Sequence, residues 1–452
     1  MVTEQADVVV VGTRCAGTAA AIALAGAGRS VIGLDSSAFP SDTLSTHLLW
    51  PSGVFELAEL GALPRVLALG APPLTTGLAD GAGFTVRAPF GRYGTIGYSM
   101  CVRRAGLDAA LVDTARAAGA QIRERSRVVA LVWAGRRVVG VRYLDRNGNE
   151  RRIDARLVIG ADGRRSTVAR LVGAHAPYRI EPSGRSCVFA YWHDTSLEWR
   201  SVAAQWRSGD LLGTAFPCDG GLLLCLIQPP RDRAVRVAGQ IERQYRRMIA
   251  ELPGLSDRLD GCTLRTRVRS AVDLESYFRR SGGPGWALPG DSGHFKDPVT
   301  AQGIRDALRY GRLLGESVAR VLDDPQALDR QVSDWEMRRE AECLEMYQYT
   351  NRLARGEEMT PIEVELYRAG VADPALGAAM MEVVSRIREP RHLMRSGRKL
   401  AIAAGALARA GDRGAAWRAI VRDAHDEISE RAQRSMARPN AARHARGWVG
   451  QG

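Results

Sequence analysis

Three short segments hold the residues whose types and spacing could do chemistry. The first is Gly12-Thr13-Arg14-Cys15-Ala16-Gly17, set between a β-branched run, Asp7 to Val11, and a run of small residues, Ala16 to Ala27. Gly12 permits a sharp turn, and Gly17 lets helix and strand pack closely. The helix N-terminus that follows offers free N–H groups to a pyrophosphate. Asp35 closes a second apolar run, Ser30 to Leu34, about twenty residues on, where its carboxylate can accept from ribose hydroxyls. This is the spacing of a dinucleotide-binding turn, with an ordinary α/β turn as the alternative. Its usual middle glycine is Arg14, whose guanidinium could serve as a phosphate donor instead. The second segment is Ile159-Gly160-Ala161-Asp162-Gly163-Arg164-Arg165-Ser166-Thr167-Val168. The third is Leu288-Pro289-Gly290-Asp291-Ser292-Gly293-His294, followed by Pro298 and Gly303.

The elements around these segments read as α/β. Strand, turn, helix and strand over residues 7–35 make one βαβ start. A helix is expected from Arg104 to Ala118, with Leu107, Leu111 and Ala115 on one face. Strands follow at Val128–Trp133 and Val138–Leu144, then a hairpin turn at Asn147-Gly148 and a buried strand, Arg156–Ile159. Residues 186–227 are strand-rich, at Cys187–Tyr191, Ser201–Trp206 and Leu222–Ile227, and suggest a separate antiparallel sheet. Trp286–Pro289 reads as a short strand and Thr300 to Val321 as a long helix. After about Asp324 the chain reads as helices to its end. The fold expected is a Rossmann-like, glutathione-reductase-type dinucleotide-binding domain with an inserted antiparallel β-sheet substrate domain and a helical C-terminal extension. The cofactor domain takes residues 1–75, 104–175 and 271–325, the substrate domain 76–103 and 176–270, and the extension 326–452.

The three segments, in this order and spacing, resemble the signatures of flavoproteins related to para-hydroxybenzoate hydroxylase. The resemblance covers about the first 320 residues and implies FAD as the cofactor. It implies that Gly12–Gly17 with Asp35 holds the AMP half, that Asp291 binds the ribitol chain, and that Asp162 organises the adjoining turn. Arg104, opening Arg-Ala-Gly-Leu, matches an arginine near the pyrophosphate. Cys15, Ala16, Ser36 and Val128 complete that end of the expected cofactor set. At the other end, Pro298 precedes a helix whose first turn, Ala301-Gln302-Gly303, with Ile304, would bring backbone N–H groups to the flavin. The run Gly303-Ile304-Arg305-Asp306-Ala307 with Gly311 also looks like the geranylgeranyl reductase and flavin halogenase branches.

His47 lies in the loop that passes beside the isoalloxazine in relatives. It is the candidate catalytic residue, for a hydrogen bond to a substrate oxygen or for its deprotonation. A loop histidine that holds the backbone is the alternative. His294 reads as structural, and Lys296-Asp297 as an exposed ion pair. Strand alternation puts Cys187, Phe189, Tyr191 and His193 on one face and Val188, Ala190 and Trp192 on the other. Phe189, Tyr191 and Phe216 are the expected substrate-pocket residues, with plain core as the alternative.

Composition narrows the function. The chain has 452 residues, 45% hydrophobic and 25% charged, which excludes collagen-like and wholly disordered readings. The seven cysteines form no C-x-x-C pair, so neither a metal site nor a disulfide framework is expected, and a cytoplasmic location is the default. No apolar run reaches the roughly 18 residues of a membrane span. Net charge is +13, and residues 391–452 are its most basic stretch. Without aromatic interleaving this reads as a solvated helical face, not a nucleic-acid site.

The leading functional reading, implied by the resemblance, is an FAD-dependent monooxygenase with NAD(P)H as transient reductant and O2 as co-substrate. It would act through a flavin C4a-hydroperoxide on an apolar or aromatic small molecule, in natural-product biosynthesis. A single dinucleotide fingerprint fits tightly held FAD and a visiting nicotinamide. The alternatives are a geranylgeranyl-reductase-like alkene reductase and a non-catalytic flavin-binding interaction protein. A tryptophan-type halogenase is disfavoured, because no two of the nine tryptophans are two residues apart.

Overall fold

The computed structural model describes residues 3–43, 45–233 and 239–447, with side chains through residue 435. Strand β1 (Thr3–Val11), helix α1 (Cys15–Gly26) and strand β2 (Val31–Leu34) form the expected βαβ start, and helix α2 spans Arg104–Ala117. The main sheet places Gln121–Arg123, β2, β1, β3 (Glu150–Gly160) and Trp286–Ala287 side by side in parallel. Register decides where the chemistry sits. Val11 pairs with both Leu34 and Gly160, and Ile159 pairs with Ala287. Gly12, Asp35, Ala161-Asp162 and the segment leading to Asp291 therefore leave the sheet at one carboxyl edge, where open parallel sheets bind ligands.

Small residues bring the covering helices close. Ala16, Ala19 and Ala20 of α1 meet Gly311 and Gly315 of helix α3 (Gly303–Val318). That helix starts three residues later than the sequence suggested. A 3₁₀ turn, Pro298–Thr300, is followed by Ala301 at φ +52°, so only from Gly303 does the backbone become helical.

The second sheet runs through Thr263–Leu264, Cys187–His193 (here β4), Leu222–Gln228, Leu211–Pro217, Val202–Ser208, Thr76–Gly81 and Phe84–Pro89. Leu211–Pro217, Thr263–Leu264 and the hairpin strands Thr76–Gly81 and Phe84–Pro89 are four strands more than the sequence indicated. One pair is parallel: Val202–Ser208 with Thr76–Gly81. The sheet is therefore mixed and not purely antiparallel. The hairpin at 76–89 enters from a distant part of the chain, so no tight turn forces antiparallel pairing with its neighbour. Alternation along β4 falls as expected. Cys187, Phe189 and Tyr191 join one buried cluster, and Val188, Ala190 and Trp192 join another.

After Val318 the described elements are helical: α4 (Pro325–Leu353), then Pro361–Ala372, Pro374–Val384, a 3₁₀ turn, Ser396–Arg409 and Arg413–Gly447. The first three start with proline directly after a capping residue, Asp324, Thr360 or Asp373. Trp335 of α4 donates to the Tyr310 carbonyl at 2.9 Å, and Tyr347 to that of Ser276 at 3.2 Å, fixing α4 to the sheet-covering layer. Tyr367 and Met381 pack on the 76–81 strand, on the face of the second sheet that carries Phe189. The extension thus braces both sheets.

Candidate active site

A cavity of about 580 Å³ opens at the carboxyl edge of the main sheet and reaches the inner face of the second sheet. Gly12, Arg14, Cys15, Ala16, Asp35, Ser36, Arg104, Val128 and Asp162 line one part of it. Asp291, Pro298, Ala301, Gly303 and Ile304 line another, and the apolar end is formed by Cys187, Phe189, Leu226, Leu274 and Phe295. Five sequence candidates stand outside this lining. Gly17 supports the turn from behind, where a Cβ would come within 1.9 Å of the Gly12 carbonyl oxygen. Gln302 turns away, donating to the carbonyls of Thr300 at 3.1 Å and Val384 at 2.8 Å. Tyr191, Phe216 and His47 are buried behind the cavity face.

The turn after β1 needs its glycine. Gly12 has φ +86°, and a Cβ there would meet the Ala161 carbonyl oxygen at 2.6 Å. Asp35 accepts from Thr13 N at 2.8 Å and Ser37 N at 2.8 Å, so its carboxylate is fixed at the cavity edge. Asp162 accepts from Thr167 N at 2.6 Å and Val168 N at 3.2 Å, which orders the turn below it. The α1 N-terminus has no side-chain cap, nor does that of α3, and both first turns face the cavity. Burial pushes the Cys15 thiol up to about 12, so it is neutral at the α1 N-terminus.

Arg14 lines the cavity but also has partners within the protein. Its guanidinium pairs with Asp108 and donates to the Ser41 carbonyl at 3.2 Å and Ser41 Oγ at 2.8 Å. Asp108, fully buried on α2, also accepts from Arg104 Nε at 3.1 Å and Nη2 at 3.0 Å. The sequence reading passed over Asp108, although an Arg–Asp pair four apart on a helix was visible.

Asp291 behaves differently. Among the described residues its carboxylate has no hydrogen-bond donor, yet it faces the cavity. Burial raises its pKa, against the opposing charges of Arg164, Arg104 and Lys296. A cavity-facing carboxylate without a donor fits a polyhydroxyl chain such as ribitol.

Lys296 corrects another expectation. It is 5% exposed, and its ammonium pairs with Asp306, not Asp297. Asp297 is itself buried, accepting from Ser183 Oγ at 2.6 Å and Val299 N at 2.8 Å. His294, Asp306 and Cys343 bring potential metal-ligand atoms within 4.8 Å of one another. The Lys296 ammonium already lies on two of them, donating to His294 Nε2 at 3.0 Å, and a metal ion would have to displace it. His47 has φ +61°, a strained conformation for a non-glycine residue, and its Nε2 lies 2.8 Å from the Tyr191 hydroxyl. Burial and the charge of Arg104 lower its pKa to about 3.

A family model described as FAD binding domain matches residues 5–341. The chain belongs to the FAD binding domain family. FAD is its cofactor, and it is an FAD-dependent oxidoreductase. The menaquinone reductase of Mycobacterium tuberculosis (strain H37Rv) is 31% identical over 332 residues, covering 70% of this chain and 77% of that protein. The menaquinone reductase of Mycolicibacterium smegmatis is 29% identical over 326 residues, 69% of this chain and 76% of the relative. Among solved structures, a flavoprotein/dehydrogenase from Cytophaga hutchinsonii superposes with a TM-score of 0.72 at 21% identity, covering 84% of this chain and 93% of that one. A myxobacterial chondrochloren halogenase gives 0.70 at 22% identity, with 89% and 97% covered. At these identities the structures show a shared fold.

In this member of the FAD binding domain family, the residues present fit the cofactor. The uncapped α1 N-terminus and Asp35 would hold its AMP and pyrophosphate end, and Asp291 its ribitol. The uncapped α3 N-terminus beside Pro298 and Ala301 is left for the ring. No helix among the described residues is long and apolar enough to cross a membrane.

Proposed function

We propose that the protein is a monooxygenase that uses NAD(P)H and O2 to hydroxylate an apolar or aromatic small molecule. The observation that carries this reading is the apolar end of the cavity. Phe189, Leu226 and Leu274 offer no ionisable group, Phe295 lies under the Arg164 guanidinium at 4.8 Å, and burial pushes the Cys187 thiol far up. Bound FAD supplies the redox chemistry, and this end of the cavity supplies orientation and exclusion of water. Oxygen transfer there asks for no protein acid at the substrate, whereas saturating an alkene calls for a proton donor beside the reacting carbon. Tyr191, the nearest phenol on the same strand face, is tied to His47 and lies outside the lining.

A second reading, an oxygen-independent reductase of an isoprenoid-type alkene, is favoured by relatives named reductases. These include the digeranylgeranylglycerophospholipid reductase of Methanocella arvoryzae, 25% identical over 218 residues, which covers 47% of this chain and 52% of the relative. NAD(P)H oxidation under air and under argon, with mass spectrometry of products made under labelled dioxygen, separates the readings. Incorporation of one labelled oxygen atom is expected. A product that gains two hydrogens without oxygen would establish the reductase, and no turnover with any substrate would leave a flavin-binding interaction protein.

A further inference from the structure

Where the cavity wall passes from Asp291 to the start of α3, one carboxylate serves two cations. Lys296 Nζ and Arg305 Nη1 both pair with Asp306, the latter at 2.8 Å, and all three side chains are less than a tenth exposed. Arg386 adds a third positive charge in the field of Asp306. His294 brings no negative charge. Its Nδ1 faces the Tyr277 carbonyl at 3.1 Å and so carries the ring proton, while Nε2 accepts from Lys296. Asp291 lies within the field of Lys296 and has no hydrogen-bond donor on its carboxylate among the described residues, while Glu342 stands on the far side, its carboxylate accepting from the Tyr310 hydroxyl at 3.0 Å and its carbonyl from Arg386. Arg305 Nε and Arg386 Nη1 are buried without a partner. A buried surplus of cations is costly unless an anion comes to it. Of these cations, Lys296 lines the cavity, beside Asp291, Pro298 and Gly303. The positive end of the α3 dipole points the same way.

We propose that Lys296 is the charge that compensates the negative charge bound FAD gains on reduction, and that it thereby sets the potential of the cofactor. A hydride from NAD(P)H brings two electrons and one proton, so the bound cofactor becomes more negative by one charge. Lys296 forms no covalent bond and keeps its three protons. Asp306 and His294 Nε2 hold the ammonium in place, and Asp306 moderates its field. This inference rests on the FAD assignment and is independent of the choice between monooxygenase and reductase.

The test reads the cofactor directly, on FAD-loaded protein, by its two-electron midpoint potential and by the dissociation constant of the sulfite adduct. Sulfite is the probe because its adduct also places negative charge on the ring. Lys296→Met should weaken sulfite binding about tenfold and lower the potential by about 30 mV, the two-electron equivalent of tenfold. Lys296→Arg should keep both near the wild-type values. Asp306→Asn should move both the opposite way, because it removes the counter-charge and leaves the cations. If Lys296→Met fails to fold, Asp306→Asn carries the test. Unchanged values in Lys296→Met at full FAD occupancy, or a lowered potential in Asp306→Asn, would overturn the proposal. A wild-type protein that takes up no FAD would overturn the cofactor assignment instead.

Discussion

The Tyr191 hydroxyl lies 2.8 Å from His47 Nε2, and this buried bond ties the loop after β2 to the centre of the second sheet. The imidazole is neutral across the working pH range, since burial and the charge of Arg104 lower its pKa to about 3. It also stands outside the cavity lining. The pair is therefore expected to act as a strut. His47→Ala and Tyr191→Phe should each destabilise the fold by about 1–3 kcal/mol, the usual cost of stranding a buried polar partner. The double variant should lose less than the sum of the two. Peroxide released per NAD(P)H consumed, measured at full FAD occupancy, should stay near the wild-type ratio. A rate loss of about 10² to 10⁴ with stability intact would restore an acid–base role for His47.

Asp291→Ala should weaken FAD binding by about 1.5 to 3 kcal/mol, the loss expected for charge-assisted hydrogen bonds to a buried carboxylate. The effect should fall on affinity and not on folding, because no donor of the protein is bonded to that carboxylate among the described residues. Fluorescence titration of apoprotein with FAD reads the first, and thermal melting of the apoprotein the second. Full affinity in the variant would remove Asp291 from the ribitol site.

The turn at Gly12 and its partner Asp35 were legible because backbone sterics and strand register leave a sequence few alternatives there. The place of Asp291 at the cavity was legible by resemblance. Burial of charge was not. Lys296 and Asp297 are neighbours in sequence and read as an exposed pair, yet they point to different partners, Asp306 and Ser183, inside the protein. Nor could spacing show that Thr76–Gly81 joins the second sheet in parallel beside Val202–Ser208, since that pairing depends on a contact between distant segments. The start of α3 was misplaced because Ala301, a good helix former, is left-handed there, which residue type does not announce. Arg14 was read by its charge as a phosphate ligand, and nothing in its spacing showed that Asp108, brought in by α2, also holds it.

Restoring the family's glycine at that turn tests the point. Arg14→Gly removes one of the two arginines that bracket buried Asp108, leaving Arg104 to hold it. The variant should be destabilised by about 1–3 kcal/mol, less than the loss of a sole partner to a buried charge. FAD affinity should not rise, even though the backbone becomes more accessible. Urea melts and FAD titration check the two halves. A variant with unchanged stability and weaker FAD binding would show that the guanidinium serves phosphate after all.

Asp297 gives the fold a pH dependence of definite sign. Burial raises its pKa from 3.8 to about 6, and the bonds from Ser183 and Val299 offset only part of that. Between those values the folded chain holds a proton that the unfolded chain has released, so stability falls as pH rises through this window. The carboxyl's contribution is most favourable below about pH 4 and is lost above about pH 6, a swing on the order of 3 kcal/mol. Asparagine keeps an acceptor for Val299 N, can donate to Ser183 Oγ, and carries no charge to bury. Asp297→Asn should therefore match the wild type near pH 4 and exceed it in melting temperature at pH 7 and above. Subtracting one melting curve from the other at each pH removes the contribution of every other titrating group. A difference that stayed constant across pH, or a wild type more stable at pH 8, would show that the carboxylate is stabilised in place and not forced to ionise at a cost.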